Sequence, residues 1–387
     1  MEEAKINPNQ EIYEELIKSL YESKENEHAY YYYEKMIALK LSTSTELIHK
    51  VITNLIADSE ELVAFHVIMQ SHKKDLLLQP HTYLMMMRAA ARKYMDEAVV
   101  HTWKKCVDVY QVNIFEGDCL LVLGSAARNG NPSLAADALR IIDQKGYEMK
   151  EHHLEPLLES FMVAENWVRM FETLHLMRSS GMGLSKETLL LLSNKLSKSI
   201  STPRCSPQVV FDTLMEKKNE YSLAVDVVTI NALLRGYTLA KETKTAIECS
   251  HTWFEQLQIK KNSDTFSILL DGCLIQKNTF AAKNLFESMT TEGIEPNQQA
   301  YESMVLIYLT QPDYENAFLY LEAMKSKGFI PSGRVYSNLV IKCEKHGDPR
   351  YEAVIDEMKL FGYPIMFGYN RYMESIYKIS TESPPDE

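Results

Sequence analysis

Glycine is scarce in this chain of 387 residues, with 14 copies, and proline numbers only 13. Sheet-based folds use both residues freely in tight turns, so their scarcity points away from all-β and α/β architectures. It points towards helices joined by short connections. No apolar run approaches the roughly 18–20 residues that span a bilayer. The longest, around Cys119–Leu123 and Leu189–Leu192, are a few residues each, and no membrane insertion is expected. Six cysteines (Cys106, Cys119, Cys205, Cys249, Cys273 and Cys343) include no Cys-x-x-Cys spacing. They form neither a metal set nor a disulfide framework, and they fit a reducing compartment.

Catalytic signatures are missing too. There is no His-Glu-x-x-His, no Gly-x-x-x-x-Gly-Lys-Ser/Thr, no Gly-x-Gly-x-x-Gly and no Gly-x-Ser-x-Gly. His152 and His153 stand beside Glu151 and Glu155, but adjacent residues diverge by about 100° around a helix and do not readily share an ion. His101 and Cys106 lie near one face with no further ligand close in sequence. We therefore expect no metal, no cofactor and no catalysis.

The chain is acidic, with 53 Asp and Glu against 41 Lys and Arg, a net charge of −12. Bulk electrostatics do not favour nucleic acid, because each neutralised phosphate needs a cation. Hydrophobic residues at 45% and charged residues at 24% are ordinary for a folded protein. The length exceeds one compact core and calls for two or three domains or a repeat array. Met1–Gln10 is acidic and polar, unlike a secretory signal or an Arg-rich presequence.

The repeat array is the reading the residues support. Val227–Tyr237 aligns with Ser263–Gly272, with Gln298–Val305 and with Gly333–Val340, each block preceded by a polar residue: Asp226, Asn262, Asn297 and Ser332. These four are spaced 36, 35 and 35 residues apart. Each unit reads as two helices. The first has apolar residues at i, i+3 and i+4, as in Ile230, Leu233 and Leu234, and the second continues with Ala281, Leu285 and Met289 or Ala317, Leu321 and Met324. The second helix breaks at Gly293-Ile294-Glu295-Pro296-Asn297 and at Gly328-Phe329-Ile330-Pro331-Ser332. Glycine supplies the left-handed stop, proline fixes the turn, and Asn or Ser caps the next helix. One such pair cannot bury its apolar face alone, so successive pairs must stack.

This unit, opening with Val228-Thr229-Ile230-Asn231 and closing with Gly293-Ile294-Glu295-Pro296-Asn297, resembles the pentatricopeptide repeat family. The resemblance is clearest over 225–363 and weaker upstream, where Gln79–Leu84 and the boundaries at Gly146 and Gly181 continue a 35-residue offset. It implies an all-α fold, a right-handed α-solenoid of about ten stacked helix-turn-helix repeats. We divide the chain into degenerate repeats over 1–198, a loop or hinge at 199–207, pentatricopeptide-like repeats over 208–379 and a frayed tail at 380–387. The segment 199–207 holds two prolines and breaks any helix; a loop within one unit is the reading we favour over a hinge between sub-arrays.

The resemblance also implies a function. In such repeats single-stranded RNA is read one base per unit: the fifth and last residues hydrogen-bond the base edge, and an aliphatic second residue packs against it. The first clear unit fits fully, with Val228 second, Asn231 fifth and Asn262 last, a pair that by analogy favours a pyrimidine. The next has Ser267 and Asn297, which favour adenine, but its second residue is Asp264. The third departs, with Glu302 fifth and Ser332 last, and the fourth offers Ser337. Upstream fifth positions are Glu14, His49, Leu84, Leu120, Glu155 and Leu190, which are not base readers. Asn231 and Asn262 also suit ordinary helix capping.

Arg92, Arg128, Arg235, Lys260, Lys261, Lys342 and Lys345 fall at or near first-helix ends, where some can contact phosphate. Tyr30–Tyr33 sweeps most of a helix circumference and leaves at least one ring outward unless covered. Two functions follow. One is a non-catalytic RNA-binding protein of mitochondrial RNA metabolism or translation, holding single-stranded mRNA or rRNA in its groove. The other is a protein-binding scaffold, such as a mitoribosomal subunit or respiratory-complex assembly factor. The family resemblance places the chain in mitochondria, in the matrix.

Overall fold

The computed structural model describes residues 9–364 apart from 75, 184, 185, 201, 203 and 204, and for 186 and 187 it describes the backbone only. The frayed tail expected at 380–387 and most of the N-terminal stretch Met1–Gln10 lie outside these residues. The described residues contain twenty α-helices and no strand. They fall into two compact units that divide between Leu184 and Ser185.

The first unit comprises five helical hairpins: α1 (Gln10–Glu22) with α2 (Asn26–Ala38), α3 (Thr45–Ala57) with α4 (Glu61–Lys73), α5 (Pro80–Arg92) with α6 (Asp96–Lys104), α7 (Glu116–Asn129) with α8 (Pro132–Gln144), and α9 (Glu151–Val163) with α10 (Trp167–Ser179). The second unit has five more: α11 (Lys186–Lys198) with α12 (Pro207–Lys217), α13 (Val227–Leu239) with α14 (Thr243–Leu257), α15 (Ser263–Gln276) with α16 (Thr279–Thr291), α17 (Gln298–Leu309) with α18 (Glu315–Ser326), and α19 (Gly333–His346) with α20 (Tyr351–Leu360). The segment 199–207 falls within this unit, joining α11 to α12. Residues 201, 203 and 204 of it are outside the described set.

First helices begin at 10, 45, 80, 116 and 151 in the first unit and at 186, 227, 263, 298 and 333 in the second. The period is therefore 35 or 36 residues everywhere except across 186–227, where longer connections on both sides of α12 stretch it to 41. Within each unit, first helices pack on the first helices of neighbouring hairpins. Second helices pack on their own partners and barely on one another. Each unit thus presents a closed wall of first helices and a more open face of second helices. Between the two layers runs the core, with Ile17, Ile48, Ile52, Val99, Val122 and Ile142 in the first unit and Val305, Val335, Leu339 and Val354 near the end of the second.

Most turns from first to second helix place a residue in the left-handed region, and most of these residues are not glycine. Lys24, Ser59, Tyr94, Glu165, Lys241 and Lys277 occupy it with φ between 55° and 65°. A glycine, Gly130, fills it between α7 and α8 at φ 67°, and here a Cβ would come within 2.6 Å of Val163 Cγ1. Turns from second to first helix use Gly146, Gly181, Gly293 and Gly328 as the sequence predicts. One local departure is a π-helical turn at Lys105–Val109, which continues α6 before the chain enters α7.

Gly130→Ala meets both a left-handed backbone and a collision, and is expected to cost about 2–4 kcal/mol in denaturant unfolding. Gly146→Ala, with the same φ sign and open space around it, is expected to cost about 1 kcal/mol. Equal losses at the two sites would contradict the packing described between α7 and α9.

Candidate nucleic-acid interface

The fifth residue of a first helix and the residue that caps the next first helix are brought together again and again. The cap sits at the end of one repeat, about 30 residues on, and stacking of first helices places it against the fifth position of the repeat before. Asn231 Nδ2 donates to Asn262 Oδ1 at 3.2 Å. Ser267 Oγ donates to Asn297 Oδ1 at 2.8 Å. Glu302 receives the Ser332 backbone N–H at 3.0 Å and its hydroxyl at 2.8 Å. The first hairpin repeats this last arrangement: Glu14 receives Ser44 N–H at 3.1 Å and Ser44 Oγ at 2.9 Å. Each contact joins two hairpins and holds a cap in place.

The Asn231–Asn262 pair carries a third member that the sequence pattern does not single out. Thr265 Oγ1 lies 2.8 Å from Asn231 Oδ1 and 2.9 Å from Asn262 Oδ1, and it accepts the Asn262 backbone N–H at 3.3 Å. Asn262 Oδ1 also accepts the Thr265 N–H at 3.0 Å as the cap of α15. Thr265 is fully buried and Asn231 nearly so. Both carbonyl oxygens of the pair are thus engaged within the protein. Asn262 Nδ2, on a half-buried side chain, has no hydrogen-bond partner among the described residues. Val228, one turn before Asn231, is 39% exposed.

The second pair is more enclosed. Ser267 is buried, and its hydroxyl also lies 3.0 Å from Ser263 O. Asn297 caps α17 through the Ala300 N–H at 2.9 Å and donates Nδ2 to Asp264 Oδ1 at 3.2 Å. Asp264, an unsuitable base-facing residue by charge, therefore orients its neighbour's amide. Ser337 is exposed and donates to Gly333 O one turn back at 2.8 Å. The structure brings Asn231 to Asn262 and Ser267 to Asn297, while Ser337 stands apart from both.

Charge on the first-helix wall of the second unit is mixed. Arg235 and Arg334 both act on Asp271, whose carboxyl is pushed up by burial against hydrogen bonds from Ser303 at 2.6 Å and Gln299 at 2.7 Å. Lys261 is not free: it contacts His251 at 3.2 Å and Glu292 at 3.4 Å, over the ring of Phe266. Lys342 donates to Gln311 O at 2.7 Å over Tyr314. Arg334 and Lys345 are exposed. In the first unit His49 contacts Thr82 at 2.8 Å and Leu84 is buried, so those fifth positions serve packing.

Ligand atoms of Glu116, His152 and His153 come within 4.8 Å of one another. The hydrogen bonds of His153 decide what they do. Its Nδ1 accepts the Lys150 N–H at 3.1 Å, which uses the one lone pair of a neutral imidazole, and Nε2–H then donates to Glu116 at 3.1 Å. A cation at Nε2 would have to break the cap of α9, and the positive N-terminal ends of α7 and α9 oppose it further. The trio joins α7 to α9 in the way the fifth-position contacts join their hairpins.

Burial opposes charge on Glu14, but hydrogen bonds from Gln10 and Ser44 outweigh it and hold its carboxyl below the usual range. A lowered pKa makes this contribution complete above the unfolded value, near 4.3, and removes it as pH falls through the folded one. Glu14→Gln is therefore expected to lose about 1–2 kcal/mol of stability at pH 7, with the deficit shrinking towards zero below about pH 4. Urea melts at the two pH values check this; an undiminished deficit in acid would contradict it.

Comparison with known proteins agrees with the geometry. A family model described as pentatricopeptide repeat-containing protein matches residues 116–252, and a pentatricopeptide repeat domain model matches 254–308 and 284–345. Two mitochondrial pentatricopeptide repeat-containing proteins of Arabidopsis thaliana are 25% identical over 206 residues and 24% identical over 265. These alignments cover 53% and 64% of this chain. They take in 39% and 41% of the relatives, so the chain spans about two-fifths of their length. Among solved structures, maize PPR10 in complex with an 18-nt psaJ RNA element is 14% identical with a TM-score of 0.37, covering 93% of this chain and 57% of that one. Yeast Rmd9p with a 16-nt target RNA is 14% identical with a TM-score of 0.39, covering 90% and 74%. With ten hairpins at a period of 35 or 36 residues and family models matching more than half of its length, the chain belongs to the pentatricopeptide repeat family.

Proposed function

We propose that this chain is a non-catalytic protein that binds single-stranded RNA on the first-helix wall of its second unit. The observation that carries the reading is the Asn231–Asn262–Thr265 cluster. It engages both amide oxygens and leaves Asn262 Nδ2 as a donor, with exposed Val228 one turn before Asn231 on α13. A fixed donor together with an aliphatic platform selects a base that presents an acceptor on its edge, as a pyrimidine carbonyl does. Ser267 with Asn297 supplies a second, more enclosed position, and Ser337 an exposed hydroxyl further along. Arg235, Arg334 and Lys345 are the cations we assign to phosphates.

Hairpins with glutamate at the fifth position read nothing in this account. Both carboxylate oxygens of Glu302 and of Glu14 are taken up by a serine. The RNA footprint is therefore short and centred on α13 and α15. The mitochondrial names of several relatives support a mitochondrial location, and the role we propose there is in RNA metabolism or translation. A protein-binding role is favoured for the first unit, where 27 acidic residues face 19 basic ones over 1–184 and no fifth position suits a base.

Binding of fluorescent RNA pools to the full chain tests the reading. Asn262→Ser keeps a capping oxygen and removes the amide donor. It is expected to weaken the preferred sequence by about 1–3 kcal/mol while unrelated sequences bind as before. Thr265→Val frees the two amides to turn and is expected to relax base preference at the same position. Equal loss on all sequences, or none, would reject base reading by this cluster.

A further inference from the structure

The second-helix face of the first unit holds an open groove of about 540 Å³ between α2, α4 and α6, lined by Tyr30, Leu62, Val63, His66, Met69 and Glu97. It exists because successive second helices barely touch, so α4 is left with a face no neighbour covers. Leu62 is 73% exposed and Tyr31, beside Tyr30, is 56% exposed. One exposed leucine needs no explanation. Here Leu62, Val63 and Met69 share a cleft with the Tyr30 ring, while Tyr33 alone of the four tyrosines is buried in the core.

The one charged side chain among the lining carboxylates, lysines and arginines is Glu97. Glu34 hydrogen-bonds Tyr30 at the groove's edge, and Glu27 is exposed one turn before Tyr30. No lysine or arginine lines the groove; Lys73 is exposed one turn after Met69 on α4, and Lys104 ends α6. A lining whose one charge is negative does not favour an anionic membrane, and a second copy of this chain carries the same net charge of −12. We propose that the groove receives an amphipathic helix of a partner protein, whose apolar stripe fills the cleft and whose lysines or arginines meet Glu34 and Glu97. The groove involves none of the residues assigned to RNA, so it stands or falls apart from that reading.

The probe is a peptide of about 18 residues, long enough for five helical turns, with leucine at i, i+3, i+4 and i+7 and lysine elsewhere. Its control carries glutamate in place of lysine. Fluorescence anisotropy with the full chain is expected to show the lysine peptide binding at least about tenfold more tightly than the control, a difference of about 1.4 kcal/mol. Leu62→Asp should weaken the lysine peptide several-fold even though it adds a negative charge, and Leu319→Asp, at an exposed leucine of α18, should not. Glu97→Lys should narrow the gap between the two peptides. The proposal is overturned if Leu62→Asp binds the lysine peptide as tightly as wild type or more tightly, since charge alone would then be acting. It is overturned equally if neither peptide binds, or if sedimentation shows a dimer of the chain that Leu62→Asp splits. Both positions are on the surface, so unchanged thermal melts of the two variants accompany the test.

Discussion

The contact between a first helix's fifth residue and the cap of the next first helix is what the rest of the arrangement depends on. A helical hairpin of 35 residues has too little core to stand alone, and its neighbour must be set at a fixed rotation. The core residues supply the burial but tolerate sliding. A hydrogen bond from Ser44 to Glu14, from Asn231 to Asn262, from Ser267 to Asn297 or from Ser332 to Glu302 does not, because it fixes one point of each hairpin on the next and satisfies a helix end at once.

The same contact sets what the first-helix wall can offer a ligand. A carboxylate at the fifth position is consumed by the serine opposite it. An amide has more hydrogen-bonding capacity than one cap requires, so a donor is left over once Thr265 has engaged the oxygens. Structural and recognition roles are therefore not alternatives at Asn262: the cap immobilises the very group proposed to meet the base. At Ser267 the balance falls the other way, with the hydroxyl buried and the partner amide held by Asp264.

Much of this was legible in the sequence. The period from Asp226 onward and the two-helix unit follow from capping residues and Gly-x-x-Pro breaks, while the pairing of fifth with last residues is what the family resemblance implies. Even the weak N-terminal half was placed in register, since fifth positions at Glu14, His49, Leu84, Leu120 and Glu155 belong to helices that begin four residues earlier. That half reads as degenerate because its turns from second to first helix lack the Gly-x-x-Pro break: Lys40 and Gln111 hold the left-handed backbone there, and no proline follows Gly146 or Gly181. Thr265 could not be found by pairwise pattern matching, as it acts through two other side chains. Nor does sequence tell an available cation from an engaged one: Lys261 looks like a phosphate contact until His251, Glu292 and Phe266 are seen around it.

The proposed RNA strand lies with its bases along the first helices of the second unit. Cross-linking of the full chain to RNA carrying 4-thiouridine, followed by peptide mapping, tests it most directly. The account predicts adducts on the first-helix peptides of α13 and α15, around Val228 and Ser267, and none on α2 or α4. Adducts confined to second helices, or no cross-link to RNA of any sequence, would contradict it.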